Sequence, residues 1–278
     1  MAFGLTVKRR VVQTASLVLL HSNVFSSAAA ARFCLPVMNC DACAVAWLGC
    51  PVGMLGRSLA FNEVPWLVLL MVLGAGVLAG RLFCGWVCPM GFLQDLLHKI
   101  PSRKYQLPRW AAYIKYAVLA VTVVGVAWFV GSESPFFYCN FCPTSGLQVV
   151  LPIAIADHDW SGVADRTVKM ALVAAVLISG VLVSRSFCKV MCPVGAWVAL
   201  TNRLTPFRVN VDGGACVGCR KCDKSCPMDV PVMRHREDSA APVNRDLECI
   251  ECLNCQASCP VTAIHTRVLP ARQEEVER

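Results

Sequence analysis

Eight cysteines in the last part of the chain repeat one spacing pattern twice. The segments CVGCRKCDKSCP and CIECLNCQASCP both read C-x2-C-x2-C-x3-C-P. In this pattern three closely spaced thiolates bind one [4Fe-4S] cluster, and the cysteine before the proline binds the other cluster. A zinc ribbon is disfavoured, because it uses two C-x2-C pairs and no such triplet. The pattern predicts one cluster on Cys216, Cys219, Cys222 and Cys259, and another on Cys249, Cys252, Cys255 and Cys226.

Two further cysteine pairs each close a long apolar run, in the segments FCGWVCPMG and FCKVMCPVG. In a Cys-Pro pair the cysteine can cap a helix while the proline takes the first helical position, where no N–H is missed. The free amides of that helix then favour a thiolate or an anionic cluster. We expect these four cysteines to meet and to bind one more cubane, or to form a redox-active thiol set: Cys84, Cys88, Cys188 and Cys192. Loop cysteines or two disulfides are the alternative.

A third group of cysteines lies in the segments at the opposite ends of the apolar runs from the two F-C-x3-C-P motifs. Its members are Cys34, Cys40, Cys43, Cys50, Cys139 and Cys142. Cys139 and Cys142 could bind a further cluster together with two of Cys40, Cys43 and Cys50. The same six cysteines could equally form three disulfides, and Cys34 has the least evident partner.

The composition is that of a membrane protein. Of the 278 residues, 56% are hydrophobic and only 16% are charged, which is too apolar for an ordinary soluble domain. The net charge of +8 lies in the apolar part, because basic and acidic residues balance from Asn202 onwards. Charge beside apolar runs sets membrane orientation and does not indicate nucleic-acid binding.

The fold class predicted is a mainly α protein with a four-helix transmembrane bundle in two similar halves and a C-terminal two-cluster ferredoxin domain. A bilayer of about 30 Å needs about 20 apolar helical residues. Four segments meet this requirement: Val11–Ala31, Pro65–Phe83, Ala111–Val130 and Val168–Phe187. The first could instead be a cleaved signal peptide. Residues 1–201 would form the membrane domain and residues 202–278 the ferredoxin domain.

The flanking charges predict the orientation of these spans. The connection Lys99–Lys115 contains basic residues and no acidic residue. In the connection Gly131–Thr167, by contrast, most of the charged residues are acidic. By the positive-inside rule, both termini and the Lys99 connection are expected in the cytoplasm. Lys115 would extend its stem towards the membrane surface.

One histidine within the first apolar segment is a candidate site residue. His21, next to Asn23, could contact a quinone or relay a proton, although such a residue more often packs inside a bundle. C-x2-C-H haem attachment motifs are absent from the sequence.

The whole chain resembles the membrane polyferredoxins of the NapH, MauN, NosR and CcoG type, which combine four spans, two F-C-x3-C-P motifs and a trailing two-cluster ferredoxin. The resemblance implies [4Fe-4S] clusters on the eight ferredoxin cysteines and on Cys84, Cys88, Cys188 and Cys192. It also implies the bacterial cytoplasmic membrane, electron transfer from quinol towards a periplasmic oxidoreductase or cytochrome, or maturation of a redox enzyme. The outer cysteine group departs from the NapH pattern.

We therefore expect a membrane iron–sulfur relay between the cytoplasmic side or the quinone pool and a redox partner on the outer side. Clusters at both membrane faces would divide an electron transfer that a bilayer of about 30 Å would otherwise make slow. Two alternatives remain open at the level of sequence. One is a quinol-oxidising subunit with outer disulfides, and the other is a redox assembly factor for a periplasmic metalloenzyme.

Overall fold

The structure is a computed structural model that describes residues 2–22, 34–40, 42–43, 49–158, 160–236 and 241–268. The described part is mainly helical and carries one two-stranded sheet near its C-terminal end.

Helices make up the part of the chain that precedes the sheet. They are α1 (Ala2–Leu20), α2 (Pro51–Ala60), α3 (Trp66–Ala79), α4 (Leu82–Trp86), α5 (Pro89–Leu97), α6 (Arg109–Phe129), α7 (Tyr138–Phe141), α8 (Pro143–Ala156), α9 (Ser161–Ala164), α10 (Thr167–Leu182), α11 (Ser186–Val190) and α12 (Pro193–Thr201). The C-terminal part consists of β1 (Phe207–Val211), α13 (Lys221–Ser225), α14 (Asn254–Ser258) and β2 (Ile264–Val268), with short 3-10 turns at Val232–Arg236 and Val243–Arg245.

The two halves of the helical part repeat one arrangement. An apolar helix, α3 or α10, leads into a short helix, α4 or α11, that carries the first cysteine of the F-C-x3-C-P motif. A Cys-Pro pair then starts the next helix, α5 or α12. The repeat therefore brings each pair of cysteines to the same kind of corner between two helices.

The Cys-Pro pairs cap helices as the sequence predicts. Cys50, Cys88, Cys142 and Cys192 are N-cap residues with extended backbone, and a proline follows each at the start of its helix. Proline is favoured there because its fixed φ suits the helix and its missing N–H would have no partner in that turn.

Only part of the predicted membrane bundle is evident from helix length. Within the described residues, α6 is the one helix long and apolar enough to cross a membrane, and α3, α8 and α10 are shorter apolar helices. Helix α1 begins at Ala2 and ends at Leu20, so the end of the predicted first span lies outside the described residues. Helix α6 widens to a π-type turn at Leu119–Gly125.

The C-terminal part folds as two similar turns held by a small sheet. Strands β1 and β2 pair antiparallel, from Phe207 opposite Val268 to Val211 opposite Ile264. Helices α13 and α14 each follow a residue in the left-handed region and each end at the cysteine that precedes a proline. The hydroxyl groups of Ser225 and Ser258 lie 2.8 Å apart and join the two turns.

Buried polar groups connect the helical part with the C-terminal part. The Asn202 side-chain amide donates to the carbonyl oxygens of Asn244 at 2.7 Å and Cys249 at 3.0 Å. The expectation that Lys115 extends to the membrane surface is wrong. Its side chain is fully buried and forms an ion pair with Glu248, because an ammonium removed from water needs a counter-charge.

Candidate iron–sulfur centres

Four cysteines from the two halves line one internal cavity, which we call the junction cavity. Its cysteines are Cys84, Cys88, Cys188 and Cys192. Cys88 and Cys192 are the capping residues of α5 and α12, whereas Cys84 and Cys188 lie in α4 and α11. The structure thus brings together the four thiols that the sequence repeat relates.

Hydrogen-bond donors already point at sulfur atoms of the junction cavity. The Gln94 side chain donates from Nε2 to Cys188 Sγ at 3.2 Å, and its Oε1 accepts from the backbone N–H of Phe187 at 3.0 Å. The backbone N–H of Gly195 donates to Cys192 Sγ at 3.3 Å. Such donors stabilise anionic sulfur and tune the potential of an iron–sulfur cluster.

Two buried arginines also line the junction cavity. Arg81 and Arg185 stand three residues before the first cysteine of their respective motifs, in R-L-F-C and R-S-F-C. Arg185 is completely buried and Arg81 is 1% exposed. Four thiolates around a cluster carry a net negative charge, and these guanidinium groups would offset part of it. The arginine at the same position in both motifs is the sequence signal that could have identified these two residues.

An acidic residue fixes the orientation of Arg185. Asp95 accepts from Arg185 Nε and Nη2, each at 2.8 Å, and it also pairs with Arg9 of α1. Burial alone would raise the pKa of Asp95, but the two guanidinium groups outweigh it and lower that pKa to about 2. The free Nη1 group of Arg185 donates to the carbonyl oxygen of Cys84 at 2.8 Å. Helices α1 and α5 therefore hold the arginine against the cysteine motif.

A second cavity, the ferredoxin cavity, contains one of the two ligand sets predicted from the C-terminal pattern. It is lined by Cys249, Cys252 and Cys255 from the second run and by Cys226 from the first. Burial and the neighbouring Cys252 raise the pKa of Cys226 to about 12. Thiols gathered in this way lose their protons readily only when a metal centre supplies positive charge.

The junction cavity fits the same kind of group as the ferredoxin cavity. Each of the two cavities is lined by four cysteines and by buried apolar side chains. Within the described residues, no group of three or more His, Cys, Asp or Glu side chains is close enough for a single metal ion. A cubane binds each of four thiolates through a different iron, and each cavity is lined by four cysteines.

The junction and ferredoxin cavities lie side by side. Ile250, which is 2% exposed, lines both of them. Gly85 makes the close approach possible, because a Cβ at that position would lie 2.5 Å from the Ile250 carbonyl oxygen. Trp86 donates from Nε1 to the carbonyl oxygen of Glu251 at 3.1 Å and closes the contact.

The other predicted ferredoxin set lies around the ends of α13 and α14. Cys222 is buried and interacts electrostatically with Cys216, whose sulfur lies 4.0 Å from Met233 Sδ. Cys219 is exposed. Cys259 is the C-terminal cap of α14, in the same backbone conformation that Cys226 adopts at the end of α13.

Four of the six remaining cysteines line a third cavity, which we call the outer cavity. They are Cys40, Cys50, Cys139 and Cys142. Among the described lining residues Cys43 is absent, although it is buried close by and its backbone N–H donates to the Cys40 carbonyl at 3.2 Å. Cys34 is buried elsewhere, 4.0 Å from Met71 Sδ.

The predicted site at His21 gains no support from its surroundings. Its Nδ1 atom lies 2.9 Å from the carbonyl oxygen of Leu17 in the last turn of α1. Asn23, with which it was paired in the sequence, lies outside the described residues.

Comparisons with known proteins agree with the cysteine arrangement. Residues 64–108 and 168–211 match the 4Fe-4S binding domain family, and residues 208–260 match the 4Fe-4S dicluster domain family. The first family covers both F-C-x3-C-P motifs, and the second covers both C-terminal runs. The fold and its cysteine cavities therefore define a chain with ferredoxin-type 4Fe-4S domains.

Several relatives match more than half of this chain. It is similar to YccM of Escherichia coli K12 (28% identity, 76% of this chain and 57% of the relative) and to the ferredoxin-type protein NapH of Haemophilus influenzae (24% identity, 68% and 66%). The methylamine utilization ferredoxin-type protein MauN of Methylobacillus flagellatus is 28% identical over 53% of this chain and 48% of its own length. The chain therefore resembles the ferredoxin-type proteins of this kind. It spans little more than half the length of YccM, and no solved structure matches it.

Proposed function

We propose that the protein is a membrane-bound electron relay that holds two [4Fe-4S] clusters in its C-terminal part and a third in the junction cavity. It would connect a redox partner on the cytoplasmic side with the quinone pool or with a redox protein on the outer side. Bound clusters would supply one-electron oxidation and reduction. The observation that carries this proposal is the single side chain, Ile250, that lines both neighbouring cavities.

The residues between the two cavities have three tasks in this proposal. Ile250 keeps water out of the space between them, and Gly85 lets the two cysteine loops approach closely. Arg81 and Arg185 offset negative charge on the side of the helical part. A short, dry and rigid separation is what rapid electron transfer requires, because tunnelling rates fall steeply with distance.

The membrane location is supported by apolar side chains that face outwards. In α3, Leu67, Leu70 and Leu78 are 54%, 68% and 73% exposed, and Phe129 at the end of α6 is 84% exposed. Exposed apolar area of this extent marks contact with lipid or with other protein. Together with the basic connection between α5 and α6, it favours a helical part in the bilayer with the C-terminal part in the cytoplasm.

Iron analysis of matched variants tests the third cluster. The chain is purified anaerobically in detergent, and iron and acid-labile sulfide are measured for wild type, Cys84→Ser/Cys188→Ser and, as a control, Cys34→Ser. We expect the double variant to lose about four irons per chain while the control keeps the wild-type content. Equal iron in all three proteins would refute a cluster in the junction cavity.

A further inference from the structure

The outer cavity lies directly against the junction cavity. Met38, which is 2% exposed, lines both, just as Ile250 lines both the junction and the ferredoxin cavities. The sequence predicts the two cysteine groups at opposite ends of the spans. The structure instead folds residues 36–38 inwards, so that Met38 lines both cavities.

The cysteines of the outer cavity repeat the construction of the junction cavity. Cys50 and Cys142 cap helices ahead of a proline with φ and ψ of −75° and 123°, and −63° and 122°. The corresponding angles are −63° and 119° for Cys88, and −76° and 107° for Cys192. Each cavity thus combines two capping cysteines with two others.

A buried cation favours anionic sulfur in the outer cavity over a neutral disulfide. Lys169 lines the cavity and is 8% exposed, and its electrostatic neighbours include Cys142, Cys40 and Cys139. Within the described residues its ammonium group donates to Ser145 Oγ at 3.1 Å and forms no ion pair with a carboxylate. Disulfide formation would remove the negative charge that a buried ammonium requires, whereas a cluster bound by four thiolates would supply it.

Two buried hydroxyl groups point to the same conclusion. Tyr138 and Thr144 line the outer cavity and are 1% and 2% exposed. Both hydroxyl groups are directed at the Cys142 thiol, and in the described part of the structure neither has another hydrogen-bond partner. A buried donor without an acceptor is costly, and a sulfur atom that carries negative charge would provide the acceptor.

We propose that the outer cavity binds a fourth [4Fe-4S] cluster through Cys40, Cys50, Cys139 and Cys142. Cys34 and Cys43 are not ligands in this assignment. The role of such a cluster, which is to extend the relay beyond Met38, rests on the proposed function. The evidence for the metal site itself is the cavity, its four thiols, the buried ammonium group of Lys169 and the hydroxyl groups of Tyr138 and Thr144.

The test uses the full chain, purified anaerobically, with iron, acid-labile sulfide and disulfide mapping by differential alkylation and mass spectrometry. We expect about sixteen irons in wild type, about twelve in Cys139→Ser/Cys142→Ser and about sixteen in the control Cys34→Ser/Cys43→Ser. In wild type the four proposed ligands should become reactive towards alkylating agents only after iron is removed.

The outer cluster is refuted if wild type contains about twelve irons and a disulfide joins any of its four proposed ligands. It is also refuted if Cys139→Ser/Cys142→Ser retains the wild-type iron content. These outcomes can be distinguished from failure of the proposed relay function. The junction cluster is tested separately, by the loss of iron in Cys84→Ser/Cys188→Ser. The wild-type measurement decides the question even if a variant fails to fold.

Discussion

Arg185 and Asp95, ninety residues apart in sequence, form a two-pronged ion pair in the interior of the protein. Both hydrogen bonds measure 2.8 Å, and Asp95 also binds Arg9 of the N-terminal helix. Arg185 also donates from Nη1 to the carbonyl oxygen of Cys84. It holds the Arg185 guanidinium at the wall of the junction cavity, so Asp95 acts as a positioning residue.

We expect Asp95→Asn to destabilise the protein strongly. The substitution leaves Arg9 and Arg185 buried without their counter-charge, which typically costs about 3–5 kcal/mol. Thermal unfolding should therefore begin several degrees lower than in wild type. The control is Asp246→Asn, which breaks the pair with the exposed Arg109 and should change the unfolding temperature much less.

The same pair predicts a dependence of stability on pH. The folded pKa of Asp95 is lowered to about 2, below the unfolded value of about 3.9. Its stabilising contribution is therefore complete above about pH 4 and is lost as the pH falls towards 2. The difference in unfolding temperature between wild type and Asp95→Asn should narrow as the pH is lowered from about 5 to about 3. A constant difference over that range would contradict the assigned pair.

Removal of either cavity arginine should lower the reduction potential of the junction cluster. Reduction adds an electron to a site that is already negative, and a nearby buried cation stabilises that added charge by about 1–2 kcal/mol at an effective dielectric constant of about 20. For one electron this corresponds to several tens of millivolts. We expect such a decrease for Arg81→Gln and for Arg185→Gln in a redox titration followed by EPR.

The control for the arginine variants is Arg109→Gln, because Arg109 is 60% exposed in its side chain and lies outside the junction cavity. The reduction potential of the junction cluster in Arg109→Gln should equal that in wild type. If all three variants shift the potential equally, the effect comes from net charge and the role assigned to the cavity arginines is wrong.

Local patterns in the sequence predict much of the cysteine arrangement. The Cys-Pro caps at Cys50, Cys88, Cys142 and Cys192 follow from the conformation of proline alone, and the structure confirms them. The convergence of the two halves follows from their repeat. Both features depend on a few neighbouring residues, which is why sequence carries them.

The contacts between cavities were not predictable in this way. Met38 lies in a segment without periodic hydrophobicity, so nothing in the sequence indicates that it turns inwards between two cysteine groups. The partners Arg185 and Asp95, or Lys115 and Glu248, are far apart in sequence, and several other acidic residues would have suited each cation equally well. Such pairings are decided by packing between elements.

Fusion reporters can test the proposed orientation. Green fluorescent protein attached to the C-terminus should be fluorescent, because the C-terminal part is proposed to remain in the cytoplasm. Alkaline phosphatase inserted after Ser132, in the acidic connection between α6 and α7, should be active because it would be exported. The same enzyme inserted after Ser102, in the basic connection, should be inactive. Activity of the enzyme inserted after Ser102 would show that the orientation is the opposite of the one proposed.

Gly85→Ala should weaken communication between the junction and ferredoxin clusters without removing either. A methyl group at this position would lie 2.5 Å from the Ile250 carbonyl oxygen and 3.2 Å from the Cys252 Cα atom, so the two cysteine loops must move apart. The measurement is the enhancement of electron-spin relaxation between the reduced clusters, together with iron content. Gly74→Ala is the matched control, because a methyl group there would meet no atom within 4 Å. We expect weaker coupling only in Gly85→Ala, at wild-type iron content. Unchanged coupling in that variant would mean that the contact at Ile250 does not set the distance between the two clusters.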